Sequence, residues 1–390
     1  MNADPIVIVG ARRTPMGGFQ GDLSGLSAAQ LGAAAIRAAL AQSGVDGAAI
    51  GRGIMGCVLG AGQGQAPARQ ALLGAGLPQS VEAVTVNKMC GSGMQATMDG
   101  HDSLFAGSAD FIVTGGMESM TNAPYLLAKA RGGFRMGHGE IKDSMFLDGL
   151  EDAYEPGRLM GSFAEDTARD YQFTRAAQDE WAIRSTVRAQ AAIAAGAFAD
   201  EVVAVTVKNG EVSVDEQPGK ARLDKIPTLK PAFAKDGTVT AANASSISDG
   251  AAALVLTRAS SAAAHGLTPL ARILGHAGHA QAPSAFATAP APAIRKLFER
   301  TGLDVDDIDL FEINEAFAVV AMAAVRDLGL DAAKVNIHGG ACALGHPIGA
   351  SGARILVTLL HALRRSGGTL GVASLCIGGG EATAMAIELL

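Results

Sequence analysis

The chain has 390 residues, of which 48% are hydrophobic, and a formal net charge of −7 at pH 7. This length exceeds one ordinary domain, so we expect two or three units with a large buried core. Because the net charge is negative and lysine and arginine form no block, we expect no nucleic-acid partner. No apolar segment approaches the roughly 18 residues of a membrane-spanning helix, so no membrane partner is expected either.

The four cysteines stand at positions 57, 90, 342 and 376. They are too sparse for a disulfide scaffold, and no CxxC pair offers the usual ligands of a structural zinc site. The apolar run at residues 6–9 is too short for a signal peptide. We therefore expect a cytoplasmic protein with reduced thiols and no metal ion.

Strands and helices alternate through the first part of the chain. Short β-branched runs predict buried strands, and alanine-rich or periodic runs predict helices. The predicted elements are a strand at 5–10, a helix at 27–42 with Ser27 as its N-cap and Gly44 past its end, a strand at 81–86, a helix at 91–106 and a strand at 110–115. Such alternation is typical of the α/β class.

The composition changes between residues 121 and 246, where glycine, charged and irregular polar residues dominate. The pattern predicts one clear helix there, at about 175–195, with Thr174 as its N-cap. This segment is predicted to be an inserted loop domain.

The strand–helix alternation then returns. The predicted elements are a strand at 270–274, a helix at 291–301, a strand at 309–313, a helix after the turn that contains His346, and a strand at 369–375. Two similar halves suggest an internal duplication. We therefore predict an N-terminal α/β half at 1–120 plus about 247–269, the loop domain at 121–246, and a C-terminal α/β half at 270–390.

The residues whose side chains could take part in catalysis lie in glycine-dense turns. His346 lies in NIHGGACALGHPIGASG at 336–352, Cys90 in NKMCGSG at 87–93 and Cys376 in CIGGG at 376–380, while Asn314 opens NEAF at 314–317. Glycine lets backbone approach a ligand closely and adopt positive φ. A histidine or cysteine in such a turn is therefore a candidate for catalysis.

These turns resemble the thiolase family, as do RTP at 13–15, GGMESM at 115–120 and VTAANAS at 239–245. The motifs follow the family's order over essentially the whole chain. The resemblance implies two duplicated α/β halves packed as five αβαβα layers, with the loop domain covering the active site and binding coenzyme A (CoA). It also implies a reversible Claisen condensation of two acetyl-CoA to acetoacetyl-CoA, or thiolytic cleavage of a 3-ketoacyl-CoA. CoA and acyl-CoA would be substrates, with no covalently bound cofactor.

The resemblance also implies a role for each matching residue. Cys90 would be the nucleophile that carries the acyl group, and the helix that begins beside it would lower the pKa of its thiol. His346 would activate Cys90 and donate to the thioester oxygen, and Cys376 would remove the α-proton. Asn314, through a water, would complete one oxyanion hole with His346. The backbone N–H groups of Cys90 and Gly378 would form the other.

Residues that bind the substrate are expected on the loop domain and beside it. Ser245 matches a family residue near the pantetheine, and Lys220, Arg222 and Lys225 would either neutralise phosphate or form a solvated loop. The acyl pocket is predicted to contain Leu159, Met160 and Phe286. Leu159 and Phe286 stand where many relatives carry His and Met. Both differences affect the preferred acyl length, which we expect to centre on acetoacetyl-CoA.

The remaining histidines and cysteines are expected to be structural. His338 is predicted to form supporting hydrogen bonds near the catalytic turn, and Cys57 and Cys342 are predicted to be small core residues. Structural or surface positions are predicted for the histidines that belong to no motif, which are His101, His138, His265, His276, His279 and His361.

Three other classes of protein are alternatives to a thiolase. A ketoacyl synthase has the same general fold but lacks the CIGGG cysteine, so Cys376 argues against it. A non-catalytic acyl-CoA-binding homologue would not need Cys90, Asn314, His346 and Cys376 together. A nicotinamide oxidoreductase is disfavoured because the first strand does not lead into GxGxxG. We expect a homodimer or homotetramer, with the glycine-rich segment 129–137 at an assembly surface.

Overall fold

The first predicted strand opens the fold and continues to Arg13. The structure, a computed structural model, describes residues 4–390. Its strands, in chain order, are β1 (Ile6–Arg13), β2 (Gly17–Gly18), β3 (Ile50–Gly56), β4 (Glu82–Val86), β5 (Phe111–Ser119), β6 (Tyr125–Leu126), β7 (Lys142–Asp143), β8 (Val205–Val207), β9 (Gly210–Val212), β10 (Ser248–Arg258), β11 (Ala271–Ala280), β12 (Leu310–Ile313), β13 (Leu370–Ile377) and β14 (Glu381–Leu389).

The α-helices, in the same order, are α1 (Ala28–Ser43), α2 (Pro67–Gly74), α3 (Ser92–Phe105), α4 (Met160–Asp170), α5 (Arg175–Ala194), α6 (Glu216–Lys220), α7 (Ala259–Ala264), α8 (Pro290–Thr301), α9 (Ala318–Leu328), α10 (Ala341–Leu344) and α11 (Ser351–Ser366). Shorter 3₁₀ or π turns connect several of them. Among residues 4–390, no helix combines the length and apolar character needed to cross a membrane.

Local chemistry explains where the predicted helices begin and end. Ser27 and Gln30 form a capping box at the start of α1, and Gly44 ends that helix in the left-handed conformation with φ of 70°. The Thr174 side chain accepts the Ala177 N–H at the start of α5. These caps were predicted from sequence. Helix α4 and strands β3, β10 and β14 were not.

The two halves repeat one plan. In the first, β3 pairs in parallel with β5, β5 antiparallel with β10, and β10 antiparallel with β1. In the second, β12 pairs in parallel with β13, β13 antiparallel with β14, and β14 antiparallel with β11. Two residue pairs between β1 and β11 join the sheets of the two halves. The predicted duplication is therefore present.

Five layers follow from where the helices pack. Helices α1 and α2 cover the outer face of the first sheet, and α8 and α9 cover the outer face of the second. Helices α3 and α11 lie between the sheets and contact strands of both. The largest core cluster combines Ile8 and Leu254 from the first half with Leu375 and Met385 from the second. The αβαβα arrangement is confirmed.

The segment between β5 and β10 is anchored to both halves through buried polar side chains. Arg13 of β1 binds Glu201 at 2.5 Å and Asp215 at 2.6 Å, and all three residues are buried. Glu315, after β12, accepts hydrogen bonds from Trp181 at 2.9 Å and Ser185 at 2.7 Å on α5. The expectation of a single clear helix here was wrong, because α4 also forms. The exact domain limits stay a prediction.

Candidate active site

Cys90 lies in a tight turn between β4 and α3. Met89, immediately before it, has a φ of 47°, which non-glycine residues seldom adopt. The Ser92 hydroxyl holds the turn closed, because it accepts the Lys88 N–H at 2.8 Å and donates to the Met89 carbonyl at 2.6 Å. Cys90 is thereby fixed two residues before Ser92, the first residue of α3.

His346 lies in the corresponding turn before α11, and its hydrogen bonds define its tautomer. The Ser351 hydroxyl donates to the Pro347 carbonyl at 2.9 Å and lies 2.5 Å from His346 Nδ1. Since the hydroxyl proton is donated to that carbonyl, the Ser351 oxygen accepts a hydrogen bond from the Nδ1–H of His346. The other ring nitrogen, Nε2, is buried and has no hydrogen-bond partner among the described residues. Its lone pair is therefore available to accept a proton.

Asn314 follows β12 and is held by a buried arginine. Arg354 Nη2 donates to Asn314 Oδ1 at 3.3 Å, and Arg354 Nη1 lies 3.4 Å from Glu312 Oε2. Asn314 Nδ2 lies 3.4 Å from His346 Nδ1. Because Nδ1 carries a proton for Ser351, that contact is not a strong hydrogen bond, so the amide keeps donor capacity beside the imidazole.

Cys376 and Gly378 come from the end of β13 and the turn after it. Cys376 is fully buried, in a core cluster that also contains Phe286 and Phe317. The Gly378 N–H and the N–H of Cys90 itself both interact with the Cys90 sulfur. The two backbone N–H groups predicted for one oxyanion hole therefore lie beside the Cys90 sulfur, and their role in stabilising an oxyanion stays a prediction.

Burial controls the protonation of these groups. It raises the pKa of Cys90 to about 11, although the Gly378 and Cys90 N–H groups act in the opposite direction. Burial, with a contribution from Arg354, lowers the pKa of His346 to about 3. The expectation that the start of α3 would lower the thiol pKa was wrong, because desolvation of the thiolate outweighs the nearby donors. The resting site holds a neutral thiol and a neutral imidazole.

A cavity of about 400 Å³ opens onto these groups. Cys90, His346 and Gly378 line it, and most of the remaining lining is apolar. The Phe317 ring centroid lies 6.3 Å from that of Phe286 and 6.0 Å from that of Phe233. All the predicted pocket residues contribute to the lining, together with the predicted pantetheine residue: these are Leu159, Met160, Phe286 and Ser245. The sequence did not point to Phe233 or Phe317.

The three basic residues predicted to meet CoA phosphates lie outside this cavity. Lys220 forms an ion pair with Glu216, Arg222 lies 3.5 Å from Asp224, and Lys225 lies 3.8 Å from the same carboxylate. All three side chains are more than 60% exposed. They are free to contact a surface-bound phosphate, and that role stays a prediction.

Several supporting residues were missed at the sequence level, notably Ser351, Arg354 and Glu118. Buried Glu118 accepts N–H groups from Val58 at 2.9 Å and from Gly349 at 2.9 Å, so it ties the cavity wall to the histidine turn. Its position inside GGMESM was the available signal, but one motif does not reveal which backbone groups a carboxylate will meet.

His338 does not follow its prediction. Its ring packs edge-on against Phe198, with centroids 5.7 Å apart. Its Nδ1 is buried and lacks a hydrogen-bond partner within residues 4–390. A supporting hydrogen bond from this nitrogen is therefore not present. Cys57 is buried as predicted, whereas Cys342 is only partly buried.

Taken together, this geometry defines a class of enzyme. A cysteine beside an imidazole acceptor and two backbone N–H donors is suited to forming a thioester and stabilising the oxyanion of acyl transfer. A second buried cysteine distinguishes the site from a simple cysteine hydrolase.

Comparisons with known proteins identify the family within that class. Residues 6–260 match the family model described as thiolase, N-terminal domain, and residues 267–389 match thiolase, C-terminal domain. The chain is 51% identical to acetyl-CoA acetyltransferase 2 of Arabidopsis thaliana, covering all of this chain and 98% of that one. It is also 51% identical to acetyl-CoA acetyltransferase of Escherichia coli K12, covering 98% and 99%.

A solved structure agrees with these relatives. The Acat5 thiolase from Ascaris suum, in complex with coenzyme A, matches with a TM-score of 0.95 and 44% identity, over 99% of this chain and all of that one. The chain belongs to the thiolase family. It is an enzyme of that family.

The raised pKa of Cys90 predicts how its reactivity changes with pH. Below a pKa of about 11 the thiolate fraction rises tenfold per pH unit, so alkylation of free Cys90 by iodoacetamide should accelerate continuously from pH 7 to beyond pH 9. Mass spectrometry of the Cys90 peptide measures the rate, and Cys90→Ser corrects for other thiols. A plateau reached by pH 8 would instead indicate a thiolate already present at rest.

Proposed function

We propose that this chain is an acetyl-CoA C-acetyltransferase that works through an acyl-enzyme on Cys90. Thiolases condense two acyl-CoA molecules or cleave a 3-ketoacyl-CoA, and the direction depends on reactant concentrations. The observation that supports the residue assignment best is the shared cavity, where the Cys90 thiol, the unpaired His346 Nε2 and the Gly378 N–H converge.

The first half-reaction uses this convergence. The Cys90 thiol gives its proton to His346 Nε2 as the sulfur attacks the acyl carbonyl of acetyl-CoA. The carbonyl oxygen becomes negatively charged and accepts from the Cys90 and Gly378 N–H groups. When the carbon–sulfur bond to CoA breaks, the Cys376 thiol gives its proton to the departing CoA thiolate, which leaves a Cys376 thiolate and a protonated His346. The products are acetyl-Cys90 and free CoA.

The second half-reaction requires a base and a second set of donors. Cys376, as a thiolate, removes an α-proton from a second acetyl-CoA. The resulting enolate oxygen would accept hydrogen bonds from the protonated His346 Nε2 and from the Asn314 amide, which Arg354 orients. The enolate carbon attacks acetyl-Cys90 and the bond from the acetyl carbonyl to the Cys90 sulfur breaks. Acetoacetyl-CoA forms, and His346 returns its proton to the released Cys90 sulfur.

Replacing Cys376 with serine separates the two half-reactions. Only condensation requires α-proton removal, so Cys376→Ser should lower the condensation rate by about 100-fold or more while [1-¹⁴C]acetyl-CoA still labels Cys90. Cys342→Ser, another thiol whose pKa is raised by burial, is the matched control and should preserve both activities.

Peptide mapping by mass spectrometry locates the acetyl group, and the absorbance of acetoacetyl-CoA follows condensation. Label on Cys376 instead of Cys90, or an equal loss of both activities in Cys376→Ser, would contradict this division of roles.

The acyl pocket supports a preference for short substrates centred on acetoacetyl-CoA. Phe286 is 98% buried and packs against Phe317, so its ring occupies part of the apolar wall. Leu159 and Met160 complete that wall on α4 and its N-cap. A bulky, well-packed ring leaves limited room for a longer acyl chain.

Truncation of Phe286 tests the preference. Phe286→Ala should raise kcat/KM for six- and eight-carbon 3-ketoacyl-CoAs, which have two and four extra methylenes, by about tenfold or more relative to acetoacetyl-CoA. Phe298→Ala, in the outer layer on α8, controls for general loss of packing. Steady-state thiolysis with each chain length is the measurement. An unchanged length profile in Phe286→Ala would remove Phe286 as its determinant.

Binding of the CoA nucleotide is proposed at Lys220, Arg222 and Lys225. Their exposure supports it, and so does the anchoring of α6 beside the first half by the buried Asp215 and Glu216 carboxylates. Arg222→Ala should raise the KM for CoA by a larger factor than it changes kcat. An unchanged KM in the variant that replaces all three basic residues with alanine would reject the site.

Assembly as a homodimer or homotetramer is supported by an open edge of the sheet. Strand β4 ends the sheet, pairs only with β3 among the described strands, and leaves Val84 44% exposed. Such an edge is normally covered in a stable protein. On the segment 129–137, Met136 is 93% exposed. Light scattering that reports a monomer at micromolar protein would contradict this proposal.

The remaining proposals concern cellular context. A cytoplasmic location is proposed because all four thiols are free, as a reducing compartment maintains them. A role in fatty-acid metabolism, including β-oxidation, follows if longer 3-ketoacyl-CoAs are accepted. Fractionation and the chain-length measurements test these two points.

A further inference from the structure

Two histidines and an aspartate meet where the two halves join, away from the catalytic cavity. His101 and Asp102 lie near the end of α3, and His276 lies on β11. His101 Nδ1 and His276 Nε2 are each 2.9 Å from the same oxygen, Asp102 Oδ1. Within residues 4–390, this is the one group of three such side chains whose ligand atoms lie within 4.8 Å of one another.

The three side chains supply a set of donor atoms that a metal ion can bind. Two ring nitrogens from different elements converge on one point, and their ring centroids are 5.0 Å apart at an angle of 86°. Zn²⁺ prefers nitrogen and oxygen ligands at about 2.0–2.2 Å in tetrahedral geometry, often with water as the fourth ligand. The Asp102 side chain is 63% exposed and can rotate to make room.

The surroundings of the cluster hold its side chains in positions from which they can bind a metal ion. The histidine side chains are only 18% and 14% exposed, so their rings are held in place. Neutral imidazole and ionised carboxylate are the forms that bind metals.

We propose that His101, Asp102 and His276 form a binding site for a divalent transition-metal ion, for which Zn²⁺ is the probe. The ion would crosslink α3 of the first half to β11 of the second. The ten residues from Ser92 to His101 make nine helical steps and span about 14 Å, so the site is distant from the turn that holds Cys90. Its effect would be on stability and on the position of α3, without contact with the substrate.

The test is isothermal titration calorimetry, in which ZnCl₂ is titrated into full-length, EDTA-treated protein. All samples carry Cys90→Ser, because the Cys90 thiol lines the catalytic cavity and would compete with the proposed site for Zn²⁺. The test variants are His276→Gln, His101→Gln and Asp102→Asn. The matched controls are His138→Gln, an exposed histidine elsewhere, and Asp99→Asn, a carboxylate one turn earlier on α3.

The parent and both controls should bind one Zn²⁺ per chain. Each test variant should weaken binding by more than about tenfold, since even a lost supporting hydrogen bond costs a metal site 10- to 100-fold. Zn²⁺ should also raise the thermal unfolding midpoint of the parent but not of His276→Gln. Asp102→Asn changes an exposed side chain, so it remains informative if a histidine variant fails to fold.

Equal affinity across all the proteins, or no binding to the parent, would overturn the proposal. The three side chains would then be a hydrogen-bonded contact between the halves and nothing more.

Discussion

The active site depends on how closely two helices approach in the middle layer. A Cβ added at Gly352 on α11 would lie 2.4 Å from the Met94 backbone nitrogen, and one at Gly93 on α3 would lie 2.8 Å from the Ala353 nitrogen. Only glycine permits this contact without displacing backbone. Each helix begins just after one of the two turns that hold Cys90 and His346. The helix crossing therefore sets the distance between Cys90 and His346, although each belongs to a different half of the duplicated fold.

Burial of that crossing determines the electrostatics of the site. Charged forms of Cys90 and His346 are disfavoured, so charge develops only while substrate supplies a carbonyl oxygen to the waiting N–H donors. Arg354 is the exception, because it is fully buried and pairs with Glu312. Even with that partner, burial raises the pKa of Glu312 to about 8. Such a pair contributes little to stability, but it holds the Asn314 amide in one orientation.

The sequence predicted the parts of this arrangement that local patterns encode. Capped helices such as α1 and α5, and the glycine turns of Cys90 and His346, have clear signals. Strand β10 was missed because it is buried on both faces and rich in alanine, so it shows neither alternation nor β-branched enrichment. Helix α4 was missed because Leu159 gives it no side-chain cap.

Properties that depend on three-dimensional contacts could not be predicted. The direction of the Cys90 pKa shift depends on how completely the fold removes water. The roles of Ser351 and Arg354 depend on which groups they meet. His276 is 174 residues from Asp102 in the chain, and only the joining of the two halves makes them neighbours.

The presence of two cysteines gives the proposed cycle an order. Burial raises the pKa of Cys376 well above its usual value, and the neighbouring Cys90 raises it further through charge repulsion. Because Cys90 is a neutral thiol at rest, this repulsion acts only if both cysteines lose their protons, and acylation of Cys90 rules that state out. The Cys376 thiolate of the acyl-enzyme therefore has no second thiolate beside it. Carbanion formation is favoured when an acyl acceptor is already in place, and a carboxylate base with a low pKa would lack this coupling.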